Sequence, residues 1–214
     1  MIKRKNIASK ENLLILFLVI FYTVGTVGIL IPESRDTMLT LSPLNLLISF
    51  GALLLARQKD FRPFLLMLAL CFFIGMTIEL IGTKTGLLFG NYTYGSNLGP
   101  KFMGVPWVIG INWGILIVCS AASVNPLKIN LFTKALLAAF IMTGLDVLLE
   151  PVAIESDFWS WESGTIPIYN YICWFAIAFP LQWINFKAKA VESNKVANGL
   201  LIIMTLFFLI LNIF

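Results

Sequence analysis

The sequence predicts an all-α integral membrane protein, a bundle of about seven transmembrane helices. Hydrophobic residues make up 59% of the 214 residues, and only 12% are charged. Soluble domains carry roughly 25% charged residues, about twice this share. The apolar residues also fall into long runs, and a helix needs about 20 mostly apolar residues to span a bilayer. Seven such helices use most of the chain, so residues 1–214 are predicted to form a single membrane domain.

Seven apolar runs define the expected helices in chain order. The first follows the basic segment Met1–Lys10 as a signal peptide would, but it is long enough to span and lacks a small-residue cleavage site before Pro32. The second is short and has Pro43 in its first turn, where proline is tolerated. The third and fifth each carry an acidic residue near their C-terminal ends. The runs are Asn12–Ile31, Leu39–Ala56, Phe64–Gly82, Val105–Val124, Leu131–Leu149, Ile168–Asn185 and Asn198–Phe214.

Lysine and arginine residues indicate the orientation, because cytoplasmic loops carry an excess of them. With seven spans, three basic residues fall on one side, namely Arg35, Lys84 and Lys101. The side of the N-terminus holds twelve: Lys3, Arg4, Lys5, Lys10, Arg57, Lys59, Arg62, Lys128, Lys134, Lys187, Lys189 and Lys195. We therefore expect a multi-pass protein of the cytoplasmic membrane with its N-terminus in the cytoplasm and its C-terminus outside. The net charge of +4 reflects this bias, and no nucleic-acid partner is expected.

Two long loops, Thr83–Gly104 and Glu150–Pro167, are both predicted to lie on the non-cytoplasmic side. They mix glycine, aromatic and polar residues. That composition suits turns that cap a cavity better than disordered linkers.

Acidic residues within a bilayer are costly and usually functional. Glu79 and Asp146 lie near the outer ends of their runs, and Glu150 follows Asp146 by four residues, so these two share a helical face. We predict that all three are catalytic and point into the bundle. Aromatic and amide residues nearby are predicted to bind substrate: Asn112, Trp113, Asn170, Trp174, Tyr92, Tyr94, Trp107, Trp159 and Trp161. The alternative is an interfacial aromatic belt with acids that extend to the membrane surface.

The residues that are missing from the sequence restrict the chemistry. The chain contains no histidine, which excludes histidine-box di-iron sites, His-ligated haem and His-bound zinc. Cys71, Cys119 and Cys173 lie in apolar runs at separations that match no metal or redox motif. No glycine motif for a nucleotide is present. We therefore expect no metal and no cofactor, and a chemistry that depends on carboxyl groups, water and aromatic rings.

Two segments carry a family resemblance. The first contains Gly90-Asn91-Tyr92-Thr93-Tyr94, Leu98-Gly99-Pro100 and Gly104-Val105-Pro106-Trp107. The second contains Asp146 through Glu150-Pro151, then Trp159-Ser160-Trp161, Pro167, Asn170 and Trp174. Together they resemble the signatures of the carotenoid biosynthesis membrane proteins, of the acyclic carotenoid 1,2-hydratase and bisanhydrobacterioruberin hydratase type. The resemblance covers about Glu79–Trp174, and the first two runs and the last agree with the family in hydrophobicity only.

The resemblance implies hydration of the terminal C1–C2 double bond of an acyclic end group, such as that of lycopene or γ-carotene, to a tertiary alcohol without a cofactor. The implied partners are membrane lipid, the carotenoid substrate and other enzymes of carotenoid biosynthesis. A buried carboxyl group favours its protonated form, so Asp146 or Glu79 is expected to protonate the alkene. Trp113 and Trp174 are expected to stabilise the resulting cation.

The remaining roles concern water. Glu150 is expected to deprotonate the attacking water, which Asn112 and Asn170 would hold. Two alternatives stay open from the sequence. One is another acid-catalysed carotenoid enzyme, such as a cyclase, which would form the same cation. The other is a membrane protein that binds or transports a lipid or carotenoid without catalysis.

Overall fold

A computed structural model describes residues 2–57 and 60–214, with side chains from Lys10 onward. This part of the chain contains eight helices and four short strands. In order they are α1 (Ile2–Leu30), α2 (Pro32–Thr40), α3 (Ser42–Ala56), α4 (Phe61–Thr85), β1 (Tyr92–Tyr94), β2 (Lys101–Phe102), β3 (Val105–Pro106), α5 (Val108–Val124), α6 (Leu131–Glu155), β4 (Trp159–Trp161), α7 (Ile168–Ala188) and α8 (Lys195–Ile213). The all-α class predicted from the sequence is confirmed.

Each predicted run lies largely within helical structure, but two helices differ from their runs. The second run is broken at Leu41, where α2 and α3 meet at a bend of 57°. Pro43 lies in the first turn of α3, where its missing N–H leaves no hydrogen bond unmade. The fifth run continues six residues beyond Leu149, through Pro151, to the end of α6. Glu150 is therefore a helical residue and not the start of a loop.

Several helices are long and apolar enough to cross a membrane. Four of the helices that the structure describes meet this criterion, namely α1 from Lys10, α4, α6 and α8, and the bent pair α2–α3 makes a fifth. The central helix α5 is apolar but shorter, at 17 residues. The structure thus supports a multi-span protein by length and composition, and the count of seven stays a prediction.

Helix α5 occupies the centre of the bundle. It packs against α3, α4, α6, α7 and α8, and 14 of its 17 residues are buried. A helix that is apolar on all sides is expected in this position. The three cysteines are free and buried, as expected for residues of the apolar core.

The two ends of the bundle differ in construction. At one end, Arg57 pairs with Glu192 at 3.7 Å, and Asn125 Nδ2 donates to the Val191 carbonyl at 3.1 Å. At the other end, residues 86–107 and 156–167 fold over the helix ends, and we call these two segments the cap. Strands β1 and β4, one from each segment, pair antiparallel, and β2 pairs with β3.

Candidate active site

A cavity lies under the cap, between the ends of α4, α5, α6 and α7. We call it the carboxyl cavity, because three carboxyl side chains converge on it. Ten of the twelve residues predicted for the site line its wall: Glu79, Asp146, Glu150, Tyr92, Tyr94, Asn112, Trp159, Trp161, Asn170 and Trp174. Among the residues whose side chains the structure describes, no lysine or arginine lines it.

Glu79, near the C-terminal end of α4, is held by three hydrogen-bond donors. Its Oε2 accepts from the hydroxyls of Tyr92 at 2.5 Å and Tyr94 at 2.8 Å. Its Oε1 accepts from Trp113 Nε1 at 3.3 Å. Burial, and next the charge of Glu79, raise the pKa of Tyr92 and of Tyr94 above the ordinary tyrosine value. Both tyrosines therefore hold the protons that they donate to Glu79 more firmly than a free tyrosine would.

Trp113 reaches Glu79 because Gly75 leaves room beside α4. A Cβ atom at Gly75 would stand 2.6 Å from Trp113 Cδ1, well inside the van der Waals distance. On its other side, Trp113 stacks on Trp174, with ring centroids 4.2 Å apart and planes 5° from parallel. Trp174 lines the carboxyl cavity, and Trp113 lies behind it, fully buried.

Glu150, on α6, also has three donors. Its Oε2 accepts from Trp159 Nε1 and from Trp161 Nε1, both at 3.0 Å. Its Oε1 accepts from Asn170 Nδ2 at 2.9 Å. The same Asn170 nitrogen donates to Asp146 Oδ2 at 3.2 Å, so one amide of α7 joins the two acids of α6.

Asp146 differs from the two glutamates in how few donors it has. It is 1% exposed, yet among the described residues only the Asn170 amide donates to it. Asn112 faces the same cavity and makes no side-chain hydrogen bond to any residue that the structure describes. Asp146 and Asn112 are therefore the polar groups of the cavity with the most unused hydrogen-bonding capacity.

The β1–β4 ladder brings the indoles and hydroxyls together over the acids. Tyr92 pairs with Trp161 and Tyr94 with Trp159. Successive side chains in a strand point to opposite faces, so these four aromatic residues share the face toward the cavity. The middle pair, Thr93 and Ser160, lies on the opposite, exposed face, with hydroxyls 3.3 Å apart.

A second contact fastens the two segments of the cap. The Asp157 carboxylate accepts from the backbone N–H of Ser96 at 2.9 Å and from its hydroxyl at 2.7 Å. These two hydrogen bonds, the backbone one first, lower the pKa of Asp157 below its ordinary value. The carboxylate is thus held in its ionised form where the segments cross.

The residues that line the cavity differ in part from those that the sequence predicted for the site. Trp107 and Trp113 are absent from the residues that line it, although both were predicted to bind substrate. Phe89, Ile109 and Leu149 line it and were not predicted. Phe89 is buried, packs against Tyr92 and Trp174 and adopts a positive φ of 66°. The only feature of the sequence that pointed to Phe89 was its position beside other apolar residues in a loop that is otherwise polar.

Within residues 2–57 and 60–214, no group of three or more histidine, cysteine, aspartate or glutamate side chains is arranged to hold a metal ion. The chemistry that the site itself offers is proton transfer by carboxyl groups beside aromatic faces.

Comparison with known proteins gives two matches. A family model described as carotenoid biosynthesis protein matches residues 41–214. A curated relative, the bisanhydrobacterioruberin hydratase of Haloarcula japonica, is 33% identical over 105 residues. That alignment takes in 45% of this chain and 36% of the relative, so the chain matches little more than a third of that protein's length. No solved structure matches the chain.

Proposed function

Because the chain belongs to the carotenoid biosynthesis protein family, we propose that it is a hydratase that adds water to the terminal C1–C2 double bond of an acyclic carotenoid such as lycopene or γ-carotene. The observation that carries the proposal is the convergence of three buried carboxyls and an aromatic wall on one cavity. The name of the Haloarcula relative, a hydratase, points to the same reaction class.

The proposal assigns the acid to Asp146. Three carboxyl groups line one buried cavity, and no cation among the described residues accompanies them. Each carboxylate charge therefore disfavours ionisation of the other two. Hydrogen-bond donors favour the ionised form of the carboxyl that they contact. Glu79 and Glu150 each have three donors, and Asp146 has one. Asp146 is therefore the carboxyl best suited to hold a proton and give it to the alkene.

Protonation at C2 forms the new C–H bond from the alkene's π electrons and leaves a tertiary cation at C1. The face of Trp174 supports that cation, at roughly 2 kcal/mol or more in a desolvated site. Trp113, stacked behind Trp174 at 4.2 Å, acts by positioning it and not by contact with the substrate.

Water then attacks C1 and forms the C–O bond, and its excess proton passes to a carboxylate. Glu150 is the assigned base, since Asn170 joins it to Asp146, and a proton that returns to Asp146 completes the cycle. The Asn170 carbonyl oxygen and the unengaged amide of Asn112 are the groups assigned to hold the water. The net change is one water added and one double bond lost, with no oxidant, reductant or cofactor.

The proposal includes an orientation in the cytoplasmic membrane. The N-terminus lies in the cytoplasm, seven spans cross the bilayer with α2–α3 as one bent span, and the cap lies outside. The charge distribution supports this orientation, since Lys84 and Lys101 are the only basic residues at the cap end of α4–α7. Membrane lipid surrounds the bundle, and neighbouring carotenoid enzymes supply the substrate.

Expression in a bacterial strain that accumulates lycopene tests the function. We expect a more polar pigment, heavier by one water and with an unchanged chromophore, by chromatography with mass detection. A product of unchanged mass with shifted absorption would show that the reaction is cyclisation and not hydration. Unreacted lycopene, and likewise unreacted longer acyclic carotenoids in a second strain, would leave a binding protein without this activity.

A further inference from the structure

A second, larger cavity adjoins the carboxyl cavity. Ile109, Asn112, Leu149 and Trp159 line both, so the two share a wall under the cap. The second cavity extends between α1, α3, α5 and α8. Its lining is mostly apolar, and Leu116, Met204, Phe207 and Phe208 form much of it.

A third cavity adjoins the second on the side toward the outside of the bundle. Ser42, Asn45 and Phe207 line both. It follows α1 along Val24 and Gly25 and ends at the bend between α2 and α3. Val24 and Leu41 on its rim are 56% and 43% exposed, so the cavity opens on the side of the bundle that faces lipid.

Resting on the proposed function, we infer that these three cavities form one passage for a linear polyene chain. The reacting end group lies in the carboxyl cavity, the chain runs through the apolar second cavity, and the remainder leaves sideways into the membrane beside Gly25. An apolar lining excludes water from the chain and suits a long hydrocarbon, whereas a soluble substrate would gain nothing from it. The passage ends at the bend between α2 and α3, where Leu41 lines the third cavity.

Gly25 offers a direct test, because a Cβ atom there would meet no other atom within 4 Å. Because Gly25 lines the third cavity, a leucine at this position would narrow it. Gly51, on α3, is equally half-buried with no atom within 4 Å of an added Cβ, and it lines none of the three cavities. Gly51→Leu is therefore the matched control.

In membranes supplied with lycopene, we expect Gly25→Leu to lower the rate of hydration at least tenfold and Gly51→Leu to change it less than twofold. The two variants should elute like the wild type in size-exclusion chromatography. If Gly25→Leu is not folded, Gly25→Cys replaces it, and the folded protein is assayed before and after reaction with a bulky maleimide, with Gly51→Cys as its control. Equal hydration rates for the variants at Gly25 and at Gly51 would show that the three cavities do not form this passage.

The binding readout separates this inference from the proposed function. If the wild type does not hydrate lycopene, the passage can still be tested by binding. The measurement is then the amount of lycopene that the purified protein retains, determined by absorbance. Retention by the wild type and by Gly51→Leu, with a tenfold loss in Gly25→Leu, would support a polyene passage without hydration. Equal retention by all three, or none by the wild type, would refute it.

Discussion

Asp146 and Glu150 lie one helical turn apart on α6, yet their surroundings differ in a way that decides their roles. Two indoles and an amide donate to Glu150, and a single amide donates to Asp146. The i, i+4 spacing in the sequence predicted that both would share a face. The sequence could not predict which would attract the donors, because these come from β4 and α7, elements that the fold brings to α6.

We predict that Asp146→Asn lowers hydration by at least about 10²-fold, the lower range for loss of a general acid. Asparagine keeps the shape of the side chain and an oxygen for the Asn170 amide, but it has no proton to give. The measurement is product formed in membranes, normalised to the amount of protein in the membrane by immunoblot. Full activity of Asp146→Asn would show that another group is the acid.

We expect Gly75→Ala to disturb the site through packing. The added methyl would stand 2.6 Å from Trp113, and overpacking of this kind costs about 1–3 kcal/mol. Displacement of Trp113 should also weaken its stack on Trp174 and its hydrogen bond to Glu79. Both the hydration rate and the temperature of unfolding in detergent should therefore fall.

The control for this prediction is Gly144→Ala on α6, an exposed position where a Cβ atom meets nothing within 4 Å. Alanine is the better helix former by about 1 kcal/mol, so Gly144→Ala should be neutral or slightly stabilising. A Gly75→Ala protein as stable and as active as this control would contradict the proposed role of the close approach.

At the scale of elements, the sequence analysis predicted loops that cap a cavity, and the structure shows short strands within them. The segments Tyr92–Tyr94 and Trp159–Trp161 alternate aromatic and hydroxyl residues with period two, which is a strand signal. A three-residue stretch is too short to distinguish this signal from chance. Its partner is also far away along the chain, so pairing became visible only in the folded protein.

The helix breaks were equally hard to predict. The composition of Leu39–Ala56 is that of one span, and the 57° bend at Leu41 leaves no gap in its hydropathy. The fifth run was predicted to end at Leu149, two residues before Pro151. The helix continues to Glu155 nevertheless, and this extra turn carries Glu150 under the two indoles of β4.

The cap should lose stability in acid through Asp157. Its pKa is lower in the folded protein than the ordinary value of 3.8, so its contribution is complete above that value and declines as the pH falls through the lower, folded one. Asp157→Asn should therefore lower the unfolding temperature at neutral pH, and the difference from the wild type should shrink in acid. Glu162→Gln, at an exposed site of the same cap, is the control. A difference independent of pH would argue against this role.

At the scale of the whole molecule, the sequence predicted membrane helices from composition alone, and the structure agrees. The central position of α5 was not predictable, since α3 and α8 are about as apolar as α5. Burial of 14 of its 17 residues depends on which helices surround it, and hydropathy contains no information about neighbours. The same holds for α1, α3 and α8, whose contribution to the cavities lies outside the segment that carried the family resemblance.

The proposed orientation predicts which surfaces react with a membrane-impermeant maleimide. The native cysteines are all buried, so background labelling should be low. Glu162→Cys in the cap should react in intact spheroplasts, and Lys128→Cys, at the opposite end, only after the membrane is opened. Both positions are exposed. The reverse pattern would invert the topology, and labelling of both in intact spheroplasts would exclude an intact bilayer-spanning bundle.

The sideways opening of the passage has a kinetic consequence. A symmetrical carotenoid has two reactive ends, but among the described residues the three carboxyls meet in a single cavity. After one end has reacted, the molecule must slide out, turn around in the bilayer and return with its other end. Such an enzyme works distributively, so half-converted pigment is released between turnovers. Any other enzyme in the same membrane that accepts the untouched end can capture it, and asymmetric carotenoids would arise from competition between enzymes for a freely diffusing intermediate.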